Sequence, residues 1–262
     1  MTELLTIERR DDIELVGLNR PDQRNAISNA MIAELHDYFS DVPADVRVVV
    51  LHGHGDNFCA GLDLKELVAT RPDPETPLDV RTQFARSKKW HRTFDLIQFG
   101  EVPVISVLKG AVMGGGLELA SATHIRVAER NTTFMLPEGQ RGIFLGGSGS
   151  VRIPRLIGPS RVIDMMLTGR TYDADEGRLL GFNQYAVEAG AGLDKAIELA
   201  AQVATNAPSG NFAIINGIQR ISDLPMAEGM FAEMMVSRVA SSGSNSAERI
   251  TGFFEERKAA RR

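Results

Sequence analysis

Apolar positions follow two alternating patterns through the first two-thirds of the chain, and then a single one. Leu4 to Glu8 and Ile13 to Leu18 are short apolar-rich runs joined by Arg10, Asp11 and Asp12, which predicts two strands and a polar turn. Val46 to Leu51 and Val104 to Leu108 are unbroken runs rich in β-branched residues, as expected for strands covered on both faces. Between them, Met31, Ile32, Leu35, Tyr38 and Phe39 recur at helical spacing behind Ser28, a suitable N-cap. Phe84, Trp90, Phe94 and Ile97 do the same over Asp79 to Phe99, and a shorter helix is expected from Leu62 to Ala69. Arg71 to Pro77, with three prolines, reads as a mobile surface loop. Gly110 and Gly114 to Gly116 precede a short helix, Leu117 to Ser121, and His124 to Ala128 returns to strand.

Beyond Pro159 helical spacing dominates, in Ser160 to Leu167, Ala174 to Leu180, Asp194 to Asn206, Ser209 to Ile221, Met226 to Val239 and Ala247 to Lys258. Only Gln184 to Val187 reads as strand there. Repeated strand, strand, helix units predict a layered α/β core over residues 1–200 and a helical C-terminal region over 201–262. No repeat of fixed period and no low-complexity tract interrupts this order.

Composition narrows the class. At 262 residues the chain suits one large domain, and 43% hydrophobic with 24% charged residues is ordinary for a globular protein. No stretch approaches the roughly 20 apolar residues of a membrane helix. Glu3, Glu8, Arg9 and Arg10 break up the first ten residues, unlike a secretory signal, so the cytoplasm is the expected location. A single cysteine, Cys59, excludes an intramolecular disulfide and a cysteine-based zinc site. The net charge of −5 does not favour nucleic acid, and an anionic small substrate would need a local basic pocket.

Two loop-to-helix junctions carry the chemistry: Phe58-Cys59-Ala60-Gly61-Leu62-Asp63-Leu64 and Val112-Met113-Gly114-Gly115-Gly116-Leu117-Glu118. Small residues let a ligand approach the main chain, and the first amides of a helix lack internal acceptors. Such amides suit an anion or a developing oxyanion, although glycines also serve plain tight turns. Neither segment has the Lys-Ser/Thr of a phosphate-binding loop. Gly147-Ser148-Gly149 is no nucleophile elbow, and Cys59, between Phe58 and Ala60, reads as a buried thiol. His52 and His54 lack a third ligand at metal-site spacing, so no metal is expected. Asp63 reads as an acid that stabilises the start of its helix, and Trp90 as a packing or surface residue.

Taken together, these segments resemble the enoyl-CoA hydratase/isomerase (crotonase) family. The likeness continues in Asn19-Arg20-Pro21, Arg24-Asn25-Ala26-Ile27, Pro103-Val104-Ile105, Phe134 to Glu138, Arg155-Leu156-Ile157-Gly158 and Leu167-Thr168-Gly169-Arg170. It runs in collinear order over roughly residues 5 to 190, and Phe253 to Arg257 also looks similar. The resemblance implies a spiral of ββα units whose C-terminal helices serve oligomerisation and cover the active site. It implies that Leu62 and Gly115 donate two oxyanion-hole N–H groups, and that Glu118 and Glu138 are the catalytic carboxyls. Glu118 would then take a proton from water while Glu138 protonates C2. Arg24, Ala26, Ala60, Lys65 and Gly114 would line the acyl-CoA, with Arg257 or Lys258 reaching a neighbouring subunit's ligand.

The implied reaction is hydration of a 2-enoyl-CoA, with coenzyme A as part of the substrate and no separate cofactor. An acyl-CoA thioester and further copies of the chain, as a homotrimer or dimer of trimers, are the implied partners; neither nucleic acid nor membrane is. Rival readings are an isomerase, an acyl-CoA hydrolase or hydratase–lyase, and a non-catalytic CoA- or RNA-binding member. Glu118 favours hydration over isomerisation, because isomerases of this family often carry an apolar residue there. The segment Gly139 to Ser148 departs from the usual, more aliphatic hydratase pattern, and Gln140, Arg141, Phe144 and Leu145 are expected near the acyl pocket or the core.

Overall fold

A computed structural model describes residues 3–70, 80–241 and 251. Strands β1 (Leu5–Arg10) and β2 (Ile13–Leu18) form an antiparallel hairpin, with Asp11 in the left-handed region at φ 54°. Helix α1 (Asn29–Ser40) begins where the Ser28 hydroxyl accepts from the Met31 N–H at 3.1 Å, an N-cap, and it leads to β3 (Val48–Gly53). A short helix α2 (Leu64–Ala69) and a long α3 (Val80–Gln98) precede β4 (Val104–Leu108) and β5 (Ala111–Met113). Then follow α4 (Gly115–Ser121), β6 (Ile125–Glu129), β7 (Thr133–Met135), α5 (Gly149–Ile157) and α6 (Pro159–Thr168). The remainder is β8 (Tyr172–Asp173), α7 (Ala174–Leu180), β9 (Tyr185–Val187), α8 (Gly192–Ala204), α9 (Pro208–Ser222) and α10 (Met226–Ser241).

The strands make two sheets. The larger has the order β1-β2-β3-β4-β6-β9, parallel except for the first pair; the smaller has the order β5-β7-β8. Alternation along β3 explains its unbroken apolar run: Val49 and Leu51 join one buried cluster, while Val48 and Val50 join another. The first cluster packs under α1, α3 and α4 through Met31, Leu35, Phe94 and Leu117; the second is closed by Ala196, Leu199, Ala200 and Ala204 of α8. The expected division near residue 200 therefore falls within a helix that covers the sheet.

Helices α9 and α10 pack on one another, Gly217 facing Val236, and form an arm beyond the sheet. Asn216 ties the arm back by donating to the Gly100 carbonyl at 3.0 Å. Met226, Met230, Phe231, Met234 and Met235 on α10 are exposed in the single chain. The second sheet and α5 depart from the sequence expectation. The strands of that sheet span two or three residues, too few to show a period, and α5 contains Pro154 in its last turn. The expected loop Arg71 to Pro77 and nearly all of the helix Ala247 to Lys258 lie outside the described residues, as does the tail with Arg257.

Candidate active site

Two loop segments and strand β5 run side by side. Parallel bridges join Ile27 to Leu62 and Cys59 to Val112. Ile27 donates to the Gly61 carbonyl at 2.7 Å and Asp63 donates to that of Ile27 at 3.0 Å, so the intervening Leu62 N–H points to the opposite side. Gly115 is the first residue of α4, where amides have no partner one turn back. Among the described residues neither N–H has an acceptor. The two amides are neighbours: a Cβ on Gly61 would lie 3.1 Å from the Gly115 nitrogen, and one on Gly115 would lie 3.3 Å from the Leu62 nitrogen. Gly61, at φ 90°, and Gly114, at φ 50°, supply backbone that L side chains rarely adopt.

Glu118 lies one turn into α4 and is 3% exposed. Its Oε1 accepts from the backbone N–H groups of Gly147 (2.9 Å) and Gly149 (2.8 Å). Burial pushes its pKa up to about 7 and the nearby Glu138 adds to this; the two amides and Arg152 pull the other way. Glu138, on the turn after β7, is also buried, and its Oε2 has no hydrogen-bond partner among the described residues. Burial raises its pKa above the usual carboxylate range, against a backbone hydrogen bond and the charge of Arg141. Two carboxyls of different surroundings thus face one another beside two free amides. Such a site can stabilise an oxyanion while moving protons.

Two residues gain a place that sequence reasoning did not give them. Trp90 lies against both halves of the site, its ring 2.8 Å from where a Cβ on Gly115 or Gly147 would stand. Its helical spacing with Phe94 and Ile97 signals burial but not which surface it buries. Arg152 on α5 donates to the Ser148 hydroxyl, to Gln98 Oε1 (2.5 Å) and to Asp95 Oδ1 (2.5 Å). Only its position among apolar neighbours hinted at burial. Gln98 in turn donates to Gln219 of α9, linking this cluster to the helical arm.

The other expected residues fall in two groups. Arg24, Ala26 and Ala60 lie together, since the Ala60 N–H donates to the Arg24 carbonyl at 2.9 Å. Arg24 and Asn25 are both left-handed, and buried Asn25 secures that turn by donating to the carbonyls of His54 and Asn57. Lys65 is exposed at the start of α2 on the same edge, and Gly114 is buried against Glu138. Asp63 caps α2, accepting from Lys65 and Glu66, and pairs with Arg20 at 2.8 Å. Cys59 is fully buried, and burial pushes its thiol up to about 12. Of the unusual segment, Leu145 is in the core, Phe144 and Gln140 are exposed, and Arg141 reaches the Met113 sulfur at 3.9 Å.

The family model described as enoyl-CoA hydratase/isomerase matches residues 8–261. A crystal structure from Rhodopseudomonas palustris CGA009, described provisionally as an enoyl-CoA hydratase, has a TM-score of 0.91 and 47% identity, covering 98% of this chain and 96% of that one. Enoyl-CoA hydratase EchA19 of Mycobacterium tuberculosis is 30% identical over 256 residues, 96% of this chain and 93% of its own length. The 2,3-dehydroadipyl-CoA hydratase of Escherichia coli K12 is 28% identical over 259 residues, 98% of this chain and 97% of its own.

Proposed function

The chain belongs to the enoyl-CoA hydratase/isomerase (crotonase) family, and on that premise we propose that it adds water across the 2,3-double bond of a 2-enoyl-CoA thioester. The observation that carries this reading is the pair of buried carboxyls, Glu118 and Glu138, beside the free amides of Leu62 and Gly115. The thioester oxygen sits between those amides. Water bonds through its oxygen to C3 and gives a proton to Glu118, while the double-bond electrons move toward the thioester and place negative charge on its oxygen. Glu138 then protonates C2 as the carbonyl re-forms, and solvent exchange returns the proton from Glu118 to Glu138.

The division of roles follows the surroundings. Two N–H donors favour an ionised Glu118, which suits a base. An unpartnered Oε2 favours a protonated Glu138, which suits an acid. Removing one donor from such an oxyanion site typically costs about 10²–10³ in rate. Arg24 and Lys65, exposed on one edge, supply cations for the nucleotide end of the substrate, and Ala26, Ala60 and Gly114 leave room along it. The exposed apolar row of α10 supports assembly into a trimer or dimer of trimers.

Among the described residues no helix is long and apolar enough to cross a membrane, and no group of three His, Cys, Asp or Glu side chains could hold a metal. The test is loss of the conjugated-enoyl absorbance when purified protein meets short, long, branched and aromatic 2-enoyl-CoAs. Loss with at least one of them supports hydration, and no change with any would defeat it.

A further inference from the structure

The turn that grips Glu118 is itself held from behind. Gly147 and Gly149 aim two N–H groups at Oε1 only because Ser148, between them, takes a left-handed backbone at φ 76°, a conformation a serine adopts at a cost. Something must hold it there. The Arg152 guanidinium, one turn into α5, donates to the Ser148 hydroxyl, and it also donates to Gln98 and Asp95 of α3. Arg152 is buried, whereas the Asp95 side chain is 58% exposed. A buried guanidinium stripped of its partner would be costly, so the pairing fixes where the guanidinium sits. We propose that Arg152 is a positioning residue: it locks Ser148 in the turn that presents two amides to Glu118.

This deepens the hydration reading and rests on Glu118 as the base. Among the described residues the charged groups around Glu118 are few. Glu138 faces it from the turn after β7, Arg152 from α5, and Asp95 stands behind Arg152 on α3; Arg141 faces Glu138. Glu138 opposes ionisation of Glu118 and Arg152 favours it, in line with the signs of their charges. Loss of the Arg152 charge must therefore raise the pH at which Glu118 ionises. Loss of the Asp95 charge with its Oδ1 acceptor kept, as in Asp95→Asn, leaves the guanidinium held and must lower it, because the guanidinium is then no longer offset.

The direct test is a titration of Glu118 by ¹³C NMR in the full-length, glutamate-labelled protein, with Glu118→Gln assigning the resonance. Arg152→Gln should move the midpoint up by about half a pH unit or more, and Arg152→Lys should return most of that shift. The rising limb of kcat/KM against pH should move the same way, with kcat falling about 10-fold and KM changing less. Asp95→Asn, at an exposed position, should fold even where Arg152→Gln does not, and should move the midpoint down. A folded Arg152→Gln protein, or Asp95→Asn, with an unmoved midpoint would overturn the proposal, whatever happens to turnover. Shifted midpoints in a protein that hydrates no 2-enoyl-CoA would uphold Arg152 as the positioning residue and remove the hydration reading instead.

Discussion

The Glu138 carboxyl rests against the α-carbon of Gly114, so that a Cβ built there would overlap Oε1. Gly114 is also at φ 50° and donates its N–H to the Met135 carbonyl at 2.9 Å, next to Gly115, the proposed oxyanion donor. One residue thus places an amide and admits a carboxyl. Gly114→Ala should lower kcat by about 10²-fold or more through both effects, with the fold retained. Circular dichroism and steady-state kinetics on the variant check this.

The carboxyls themselves give a second expectation. Glu118→Gln keeps an oxygen that can accept from Gly147 and Gly149, and Glu138→Gln is close to isosteric. Each should fold, yet lose about 10²–10⁴ in kcat. Full turnover in both variants would remove the two-acid mechanism while leaving the oxyanion site intact.

Acid dependence follows from the ionisation of Glu118 near 7. In the proposed mechanism Glu118 is the base and must be ionised, so kcat/KM should fall about tenfold per unit as the pH drops below about 7. Stability runs in the opposite sense. Burial lifts the pKa of Glu118 from 4.5 in the unfolded chain to about 7 in the fold. Its stabilising contribution is therefore complete below 4.5 and is lost as the pH rises through about 7. Relative to wild type, Glu118→Gln should gain stability over that window, by about 2–3 kcal/mol at most. Urea midpoints at pH 5 and pH 8 measure the difference.

Trp90 offers a packing test at the site. The ring fills the space beside Gly115 and Gly147, but its buried Nε1 has no hydrogen-bond partner among the described residues. Trp90→Ala should cost about 3–5 kcal/mol through the cavity it leaves. Trp90→Phe also removes that unpartnered donor, whose burial costs about 1–3 kcal/mol, so its net loss should be much smaller. Denaturant melts of the two variants compare them directly.

Much of the site was legible because it is written in local sequence. Glycines at 61 and 114 to 116, a glutamate just into the helix and Pro137-Glu138 are local motifs, and the family resemblance they carry points to the candidate amides and acids. Ser28, as the cap of α1, was legible for the same reason. The partners of Glu118 were not. Gly147 and Gly149 meet it across about 30 residues, and the turn they share depends on Arg152 and Asp95 from two different helices. The small sheet was equally hidden, because strands of two or three residues take their identity from pairing and carry no period of their own. Trp90 was legible as buried but not as a wall of the site, since helical spacing does not say what a face meets.

The central claim is that this protein joins the two halves of water to C3 and C2 of an enoyl thioester, and isotope placement tests it most directly. Product formed from a short 2-enoyl-CoA in ¹⁸O-labelled heavy water should carry the label as a hydroxyl oxygen on C3 and a deuterium on C2, with the thioester intact. Label in a free carboxylate with released coenzyme A, or deuterium without oxygen in a shifted double bond, would contradict it.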